Sequence, residues 1–209
     1  MFFATDGIMW STTEEQGTSI TADRLGTLEI ISPSVPLCIF GRNRRLSVKR
    51  IGIVMGSDSD LPVITKATDL LKQLEIPFDV HVYSAHRTPE EARDFALNAR
   101  DNDYGVIIAA AGMAAHLAGA IAANTTLPVI GIPCSSSNLE GLDALLSTVQ
   151  MPPGIPVATV GINAGANAAL LAAEILAVSD ADVAKKLADK RAADTAKVIA
   201  KDRDIMSRI

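Results

Sequence analysis

Five short strand-like runs, each followed by a helix-like segment, constrain the fold of this chain more than any other feature. Runs of this length that are rich in Val and Ile are typical of strands buried on both faces, as in parallel sheets. Strands that alternate with helices in this rhythm predict an α/β fold, a parallel sheet with helices on both faces. The runs are residues 51–55, 78–83, 104–109, 127–133 and 157–160.

Helices are predicted between these runs from the spacing of apolar residues. The segments are residues 61–74, 89–100, an alanine-rich stretch that ends near Asn124, 142–149, 164–177 and 180–205. In the first helix we expect the core face to be Val63, Ala67, Leu70, Leu71 and Leu74. In the helix over residues 164–177 we expect the buried residues to be Leu170, Leu171, Ile175 and Leu176.

The last predicted helix has only a narrow stripe of mostly small residues. The stripe consists of Ala184, Ala188, Ala192, Thr195 and Ile199, and lysines and aspartates fill the other faces. A stripe this thin supports a lone helix weakly, because most helical stability in proteins comes from packing of an apolar face. We therefore expect residues 180–209 to pack against a neighbouring subunit.

Composition restricts the class of protein and its partners. The chain has 209 residues, 48% of them hydrophobic, and a formal net charge of -5. This charge disfavours a general nucleic-acid or membrane-surface role, although a small anionic ligand remains compatible with it. Cys38 and Cys134 form no CxxC pair, so the sequence indicates neither a zinc site nor a disulfide framework. With no bilayer-length apolar run and no signal-peptide pattern at the start, we expect a cytoplasmic protein.

Residues 1–48 differ from the rest of the chain. They lack helical or strand periodicity, and a basic cluster follows at their end, formed by Arg42, Arg44, Arg45, Lys49 and Arg50. One interpretation is a targeting or nucleic-acid-binding arm; the interpretation we favour is a loosely ordered extension. The predicted organisation is therefore an extension over residues 1–48, a catalytic domain over 49–179 and a C-terminal helix over 180–209.

Polar side chains follow three of the predicted strands. The carboxyl ends of parallel strands lie at the same edge of a sheet, where ligands bind in open α/β folds, so these groups are expected to converge. Serine and arginine suit a phosphate, and histidine is the side chain best suited to move a proton near neutral pH. The set suits a phosphorylated sugar that carries a basic ring. Its members are Ser57, Ser59, Asp60, Ser84, His86, Arg87, Gly112 and His116.

Each cluster also has a purely structural interpretation. Ser57, Ser59 and Asp60 suit the N-cap of the next helix. His116 lies in an alanine-rich segment and suits a core histidine bonded to a carbonyl, while residues 135–138 resemble a solvated loop. The sequence lacks the GxGxxG turn and the GxxxxGK[ST] loop of nucleotide sites, the GxSxG nucleophile elbow, and HxxxH spacing for a metal.

Four motifs together resemble one enzyme family. They are Met55-Gly56-Ser57-Asp58-Ser59-Asp60, Ser84-Ala85-His86-Arg87-Thr88-Pro89, Ala114-Ala115-His116-Leu117-Ala118-Gly119 and Gln150-Met151-Pro152-Pro153-Gly154-Ile155-Pro156. In this order and spacing they resemble the N5-carboxyaminoimidazole ribonucleotide mutases of purine biosynthesis, in particular the bacterial branch. The resemblance covers about residues 50–205.

The resemblance implies a fold, a reaction and a set of roles. It implies a flavodoxin-like subunit in a homo-octamer, with active sites at subunit junctions. The reaction moves a carboxyl group from the exocyclic nitrogen to ring carbon C4 of the ribonucleotide, without metal, ATP or organic cofactor. His86 matches the general acid/base. The positions that match substrate-binding or pocket-wall residues are Ser57, Ser59, Asp60, Ser84, Arg87, Gly112, Ala115, His116 and Leu117.

The chain departs from the family pattern in places, and other functions stay open. Met113 and Ala118 stand where the family often has glycine and proline, and residues 162–165 form a shorter turn than usual. One alternative function is an aminoimidazole ribonucleotide carboxylase that uses free CO2. Another is a non-catalytic nucleotide- or flavin-binding module on the same fold. A nucleic-acid role of the basic arm is the third.

Overall fold

The computed structural model describes residues 48–136 and 138–209 in full, and four short strands within residues 1–47. The chain divides into two units, Met1–Leu46 and Ser47–Ile209. In the first unit β1 (Phe3–Thr5) pairs antiparallel with β2 (Ile8–Trp10), and β3 (Ile20–Ala22) pairs antiparallel with β4 (Leu28–Ile30). The predicted loose order of residues 1–47 otherwise lies outside the described residues, as do Cys38, Arg42, Arg44 and Arg45. Lys49 and Arg50 of the basic cluster are described, and they form ion pairs with Asp103 and Asp79.

The second unit contains a five-stranded parallel sheet, which confirms the predicted α/β class. Its strands are β5 (Arg50–Met55), β6 (Phe78–Val82), β7 (Tyr104–Gly112), β8 (Val129–Cys134) and β9 (Ala158–Thr159). They are ordered β6-β5-β7-β8-β9, which is the flavodoxin-like order. The chain reverses its direction of travel across the sheet between β5 and β7, so the crevice at their carboxyl ends is where ligands bind in such folds.

Six α-helices surround this sheet in the described part of the chain. They are α1 (Leu61–Gln73), α2 (Pro89–Asn98), α3 (Leu117–Ala122), α4 (Leu142–Val149), α5 (Gly165–Ala177) and α6 (Ala181–Ile205). The Asp180 carboxylate begins α6 by accepting hydrogen bonds from the backbone N–H groups of Asp182 and Val183. None of the described helices combines the length and apolar character that a membrane span requires.

The core consists of one apolar layer on each face of the sheet. On one face, Ile51, Ile53 and Ile108 pack beneath α1 and α5. On the other face, Val54 and Ile107 pack beneath α2 and α3. Because successive strand residues point to opposite faces, neighbouring residues of β5 and β7 serve different layers, and both strands are buried on both sides.

The buried face of α5 differs from the predicted one. Four alanines are fully buried: Ala168, Ala169, Ala172 and Ala173. Of the four residues predicted to be buried, Leu176 is buried, whereas Leu170, Leu171 and Ile175 are half-buried. The reason is the close approach of α5 to α1. A Cβ on Gly165 would lie 2.1 Å from the carbonyl oxygen of Val63, so this contact accepts small residues and the larger side chains occupy the flanks.

In α1, four of the five predicted core residues are buried, but Val63 is only partly so. The neighbouring Ile64 is fully buried instead. The helix is therefore rotated slightly relative to the predicted face, which allows the backbone at Val63 to face Gly165.

The C-terminal helix α6 leaves most of its surface uncovered in the single chain. Val183 is its one buried residue, while Val198 is 65% exposed and Ile205 is 47% exposed. Of the predicted stripe, Ala184, Ala188, Ala192 and Thr195 line a shallow groove against α5. Packing of this helix on a neighbouring subunit stays a prediction.

We predict that Gly165→Ala destabilises the fold, because the new methyl group would collide with the backbone of α1. Overpacking of this kind costs about 1–3 kcal/mol in unfolding free energy. Gly161→Ala is the matched control, since a Cβ there lies 3.7 Å from Ala164 Cβ, an ordinary contact. Urea denaturation measures both variants, and equal stability of Gly165→Ala and Gly161→Ala would contradict the packing argument.

Candidate active site

A cavity of about 570 Å³ lies at the carboxyl edge of the sheet. It is formed by the loops that follow β5, β6, β7 and β8. The polar clusters predicted to converge do line this one cavity. The lining residues are Gly56, Ser57, Ser59, Asp60, Ser84, Ala85, His86, Arg87, Ala111, Gly112, Met113, Ala114, His116, Leu117, Ser135 and Ser136.

The loop after β5 is held by its own serine. Ser57 Oγ accepts a hydrogen bond from the backbone N–H of Ser59 at 3.3 Å and donates one to Asp58 Oδ1 at 3.1 Å. Ser57 thereby caps a single 3₁₀ turn, Asp58–Asp60, that leads directly into α1. The capping interpretation is therefore correct only for Ser57 and only for this turn, because the side chain of Asp60, the N-cap residue of α1, makes no capping bond. Ser57, Ser59 and Asp60 all line the cavity.

Asp60 brings a carboxylate to the floor of the cavity. It is only 9% exposed, and this burial raises the pKa of its carboxyl above the ordinary value, although the nearby Cys134 thiol and Ser57 backbone act to lower it. The hydrogen bond that the Cys134 thiol donates goes to the carbonyl of Ile132, at 3.7 Å. Burial next to Asp60 raises the pKa of the Cys134 thiol to about 12. Cys134 is therefore a protonated donor at neutral pH and not a nucleophile.

Arg87 is anchored inside a closed turn after β6. The backbone N–H of Ser84 donates to Thr88 Oγ1 at 2.8 Å, and the backbone N–H of Thr88 donates back to the carbonyl of Ser84 at 2.9 Å. The Arg87 guanidinium donates to the carbonyl of Gly56 at 3.0 Å. Since a guanidinium carries five N–H donors, this anchor leaves donors available for an anion in the cavity.

The two cavity histidines contact each other. His86 Nε2 lies 2.9 Å from His116 Nδ1, and the two rings meet edge to face with centroids 5.1 Å apart. A hydrogen bond between two ring nitrogens requires that one of them carries the proton and the other accepts it. His86 and His116 can therefore share a proton, and the exposed position of both rings makes that proton accessible from the cavity. His116 is not the carbonyl-bonded core histidine of the structural interpretation.

The segment after β7 brings backbone close to the cavity. A Cβ on Gly112 would lie 3.2 Å from the carbonyl oxygen of Cys134, which favours glycine here. Met113 follows with φ at 55°, and its side chain is 60% exposed at the cavity. Ala115 is the exception among the predicted residues: it is 1% exposed and does not line the cavity, whereas its neighbour Ala114 does.

Ser135 and Ser136 form one wall of the cavity. Their sequence, part of residues 135–138, predicts only a solvated loop and no part of the site. Their position just beyond β8, at the same edge as the other clusters, was the signal that would have included them. No group of three or more His, Cys, Asp or Glu side chains in the described segments is arranged to hold a metal ion.

Comparison with known proteins agrees with this geometry. Residues 50–197 match the family model of AIR carboxylase. The chain belongs to the AIR carboxylase family. It is 53% identical over 155 residues to the N5-carboxyaminoimidazole ribonucleotide mutase of Methanocaldococcus jannaschii, which covers 74% of this chain and 96% of that protein.

Two further relatives extend the comparison. The chain is 55% identical over 130 residues to the phosphoribosylaminoimidazole carboxylase of Ogataea methanolica, which covers 62% of this chain but only 24% of that longer protein. Among solved structures, Treponema denticola PurE superposes with a TM-score of 0.69 at 29% identity, over 74% of this chain and 97% of the other. The fold and the family thus agree with the predictions from the four motifs.

Proposed function

We propose that this protein is an N5-carboxyaminoimidazole ribonucleotide mutase that forms 4-carboxy-5-aminoimidazole ribonucleotide in purine biosynthesis. The observation that carries the proposal is the His86–His116 pair in the same cavity as the Arg87 guanidinium. A phosphate-binding group and a proton-sharing pair in one cavity are what a proton transfer on a ribonucleotide ring requires. The relative from Methanocaldococcus jannaschii, named for this activity, supports the choice.

The proposed binding roles follow from charge and hydrogen-bonding capacity. Arg87, together with the hydroxyls of Ser57 and Ser84, binds the phosphate, because a guanidinium forms paired, charge-assisted bonds to phosphate oxygens. Asp60 accepts hydrogen bonds from the ribose hydroxyls. Burial disfavours the charged form of this carboxylate, and these hydrogen bonds stabilise it in place of bonds to water. The pocket wall around the imidazole ring is Ser59, Gly112, His116 and Leu117.

The proposed reaction needs no net proton, because His86 gives one proton to the substrate and takes one back. The bond between the exocyclic nitrogen and the carboxylate carbon breaks, CO2 forms, and His86 gives a proton to that nitrogen. CO2 stays against the small residues Gly112 and Ala114, where proximity makes its recapture effectively unimolecular. C4 then attacks CO2, and His86 takes the C4 proton back, which restores the aromatic ring. No metal or organic cofactor enters these steps.

A carboxylase that uses free CO2 is the second candidate. It would use the same cavity and the same C4 attack, without the first bond cleavage. The observation in its favour is the 55% identity to the Ogataea methanolica protein named as a carboxylase. The two candidates differ in the substrate that delivers the carboxyl group.

We predict that the purified protein converts N5-carboxyaminoimidazole ribonucleotide to the 4-carboxy product without added bicarbonate, because the carboxyl group travels with the substrate. Aminoimidazole ribonucleotide with bicarbonate is assayed in parallel, and product formation is followed by absorbance. Turnover of aminoimidazole ribonucleotide with bicarbonate, and none of N5-carboxyaminoimidazole ribonucleotide, would identify the carboxylase. Binding of ribonucleotide without any turnover, or a yellow protein, would favour the non-catalytic module.

We also propose a homo-octamer in the cytoplasm, with α6 packed on a neighbouring subunit. The exposure of Val198 and Ile205 on a helix with a single buried residue supports a covering partner.

We predict that light scattering of the intact chain gives an octamer mass, and that a chain ending at Arg191 gives a smaller assembly. The truncation keeps the buried Val183 and the ion pair between Arg191 and Glu174, at 3.0 Å, so the remaining subunit retains its packing. An intact chain of monomer mass, or an octamer without residues 192–209, would contradict this role of α6.

A further inference from the structure

The side chain of Asn163 bridges the loop after β9 and the loop after β8. Its Oδ1 accepts a hydrogen bond from the backbone N–H of Ser135 at 2.9 Å. Its Nδ2 donates to Ser135 Oγ at 2.7 Å. Asn163 itself is not among the cavity-lining residues, whereas Ser135 and Ser136 are. One amide therefore holds both the backbone and the hydroxyl of a residue in the cavity wall.

The backbone of Asn163 makes the same connection. β9 has only two residues, but pairing with β8 continues beyond them through the N–H of Val160, which donates to the carbonyl of Gly131 at 3.1 Å. After an interruption of two residues, the N–H of Asn163 donates to the carbonyl of Pro133 at 2.9 Å. The hydrogen bond of Asn163 thus continues the contact between this edge segment and β8 as far as the end of β8 beside the cavity.

This position has a backbone requirement that asparagine meets. Its φ is 57°, in the left-handed region, which asparagine tolerates better than most residues with a Cβ. Packing supports the same arrangement. A Cβ on Gly141, whose φ is 93°, would lie 2.8 Å from Ile162 Cγ2 and 3.1 Å from Ser135 Cα. The backbone at Gly141 therefore packs directly against Ser135 and against Ile162, the residue that precedes Asn163.

We propose that Asn163 is a positioning residue that fixes the Ser135–Ser136 wall for ribonucleotide binding. The inference rests on the proposed function, because the wall matters only if the cavity binds the ribonucleotide. It concerns a group outside the cavity: Asn163 acts through the two hydrogen bonds to Ser135. Since the wall contacts the ligand in the ground state and the transition state alike, its displacement affects KM more than kcat.

Three substitutions separate the side-chain bonds from the backbone conformation. Asn163→Gly keeps the left-handed backbone but removes both bonds to Ser135, and we expect KM to rise about tenfold with kcat changed less than threefold. Asn163→Asp keeps an acceptor for the Ser135 N–H and loses the donor, so its KM is expected between those of wild type and Asn163→Gly. Asn163→Ala adds backbone strain and is expected to lower the melting temperature as well.

Asn98→Ala is the matched control, because the Asn98 amide also donates one hydrogen bond, to the carbonyl of Asp94, and Asn98 does not line the cavity. It is expected to leave KM and kcat unchanged. If Asn163→Gly has the same KM as wild type in an active enzyme, or if Asn163→Asp is no better than Asn163→Gly, the positioning role is wrong.

Hydrogen exchange tests the bridge between Asn163 and Ser135 without the enzyme assay. The backbone amide of Ser135 is expected to exchange at least tenfold faster in Asn163→Gly than in wild type, without any ligand. Unchanged exchange would overturn the bridge itself. A wild-type protein that converts neither ribonucleotide would instead overturn the proposed function, whatever the exchange rates show.

Discussion

The register of β5 between its two neighbours is the constraint on which the site depends. Met55 at the end of β5 pairs with Val82 on one side and with Ala110 on the other. The N–H of Gly56 donates to the carbonyl of Ala110, and the N–H of Tyr83 donates to the carbonyl of Met55, both at 3.0 Å. The loops that carry Ser57, His86 and His116 therefore leave the sheet at nearly the same level. A shift of this register would separate the groups that now line one cavity.

The polar groups at the carboxyl edge of the sheet are stabilised by hydrogen bonds within the fold. Three of the cavity groups first satisfy the fold: Ser57 caps a turn, Arg87 donates to a carbonyl of the neighbouring loop, and the backbone N–H of Asp60 donates to the carbonyl of Ser57 at 3.2 Å. The groups are positioned by these bonds before a ligand arrives, which reduces the ordering that binding has to impose. Helix α5 packs through alanines against α1, the helix that follows Asp60, in the apolar layer on one face of the sheet.

Sequence reasoning identified the strands, the helices and most of the cavity because these depend on local patterns. Apolar runs bounded by Gly and Pro identify β5 and β8, and polar residues just after them identify the edge. Tertiary packing decided what local patterns could not. The burial of Ala168 and Ala172 in place of Leu170 depends on how closely α1 approaches, and the spacing of the large apolar residues in α5 does not show that distance. Likewise, the amide of Asn163 has a partner 28 positions away in the chain.

In the proposed reaction His86 moves the proton, and substitution of His86 by asparagine tests this role most directly. His86→Asn is expected to lower kcat on the order of a hundred- to ten-thousand-fold while the dissociation constant for 4-carboxy-5-aminoimidazole ribonucleotide stays near that of wild type. His81→Asn is the matched control, because His81 stacks on Tyr83 outside the cavity lining. Near-wild-type kcat in His86→Asn, or an equal loss in both variants, would contradict the assignment.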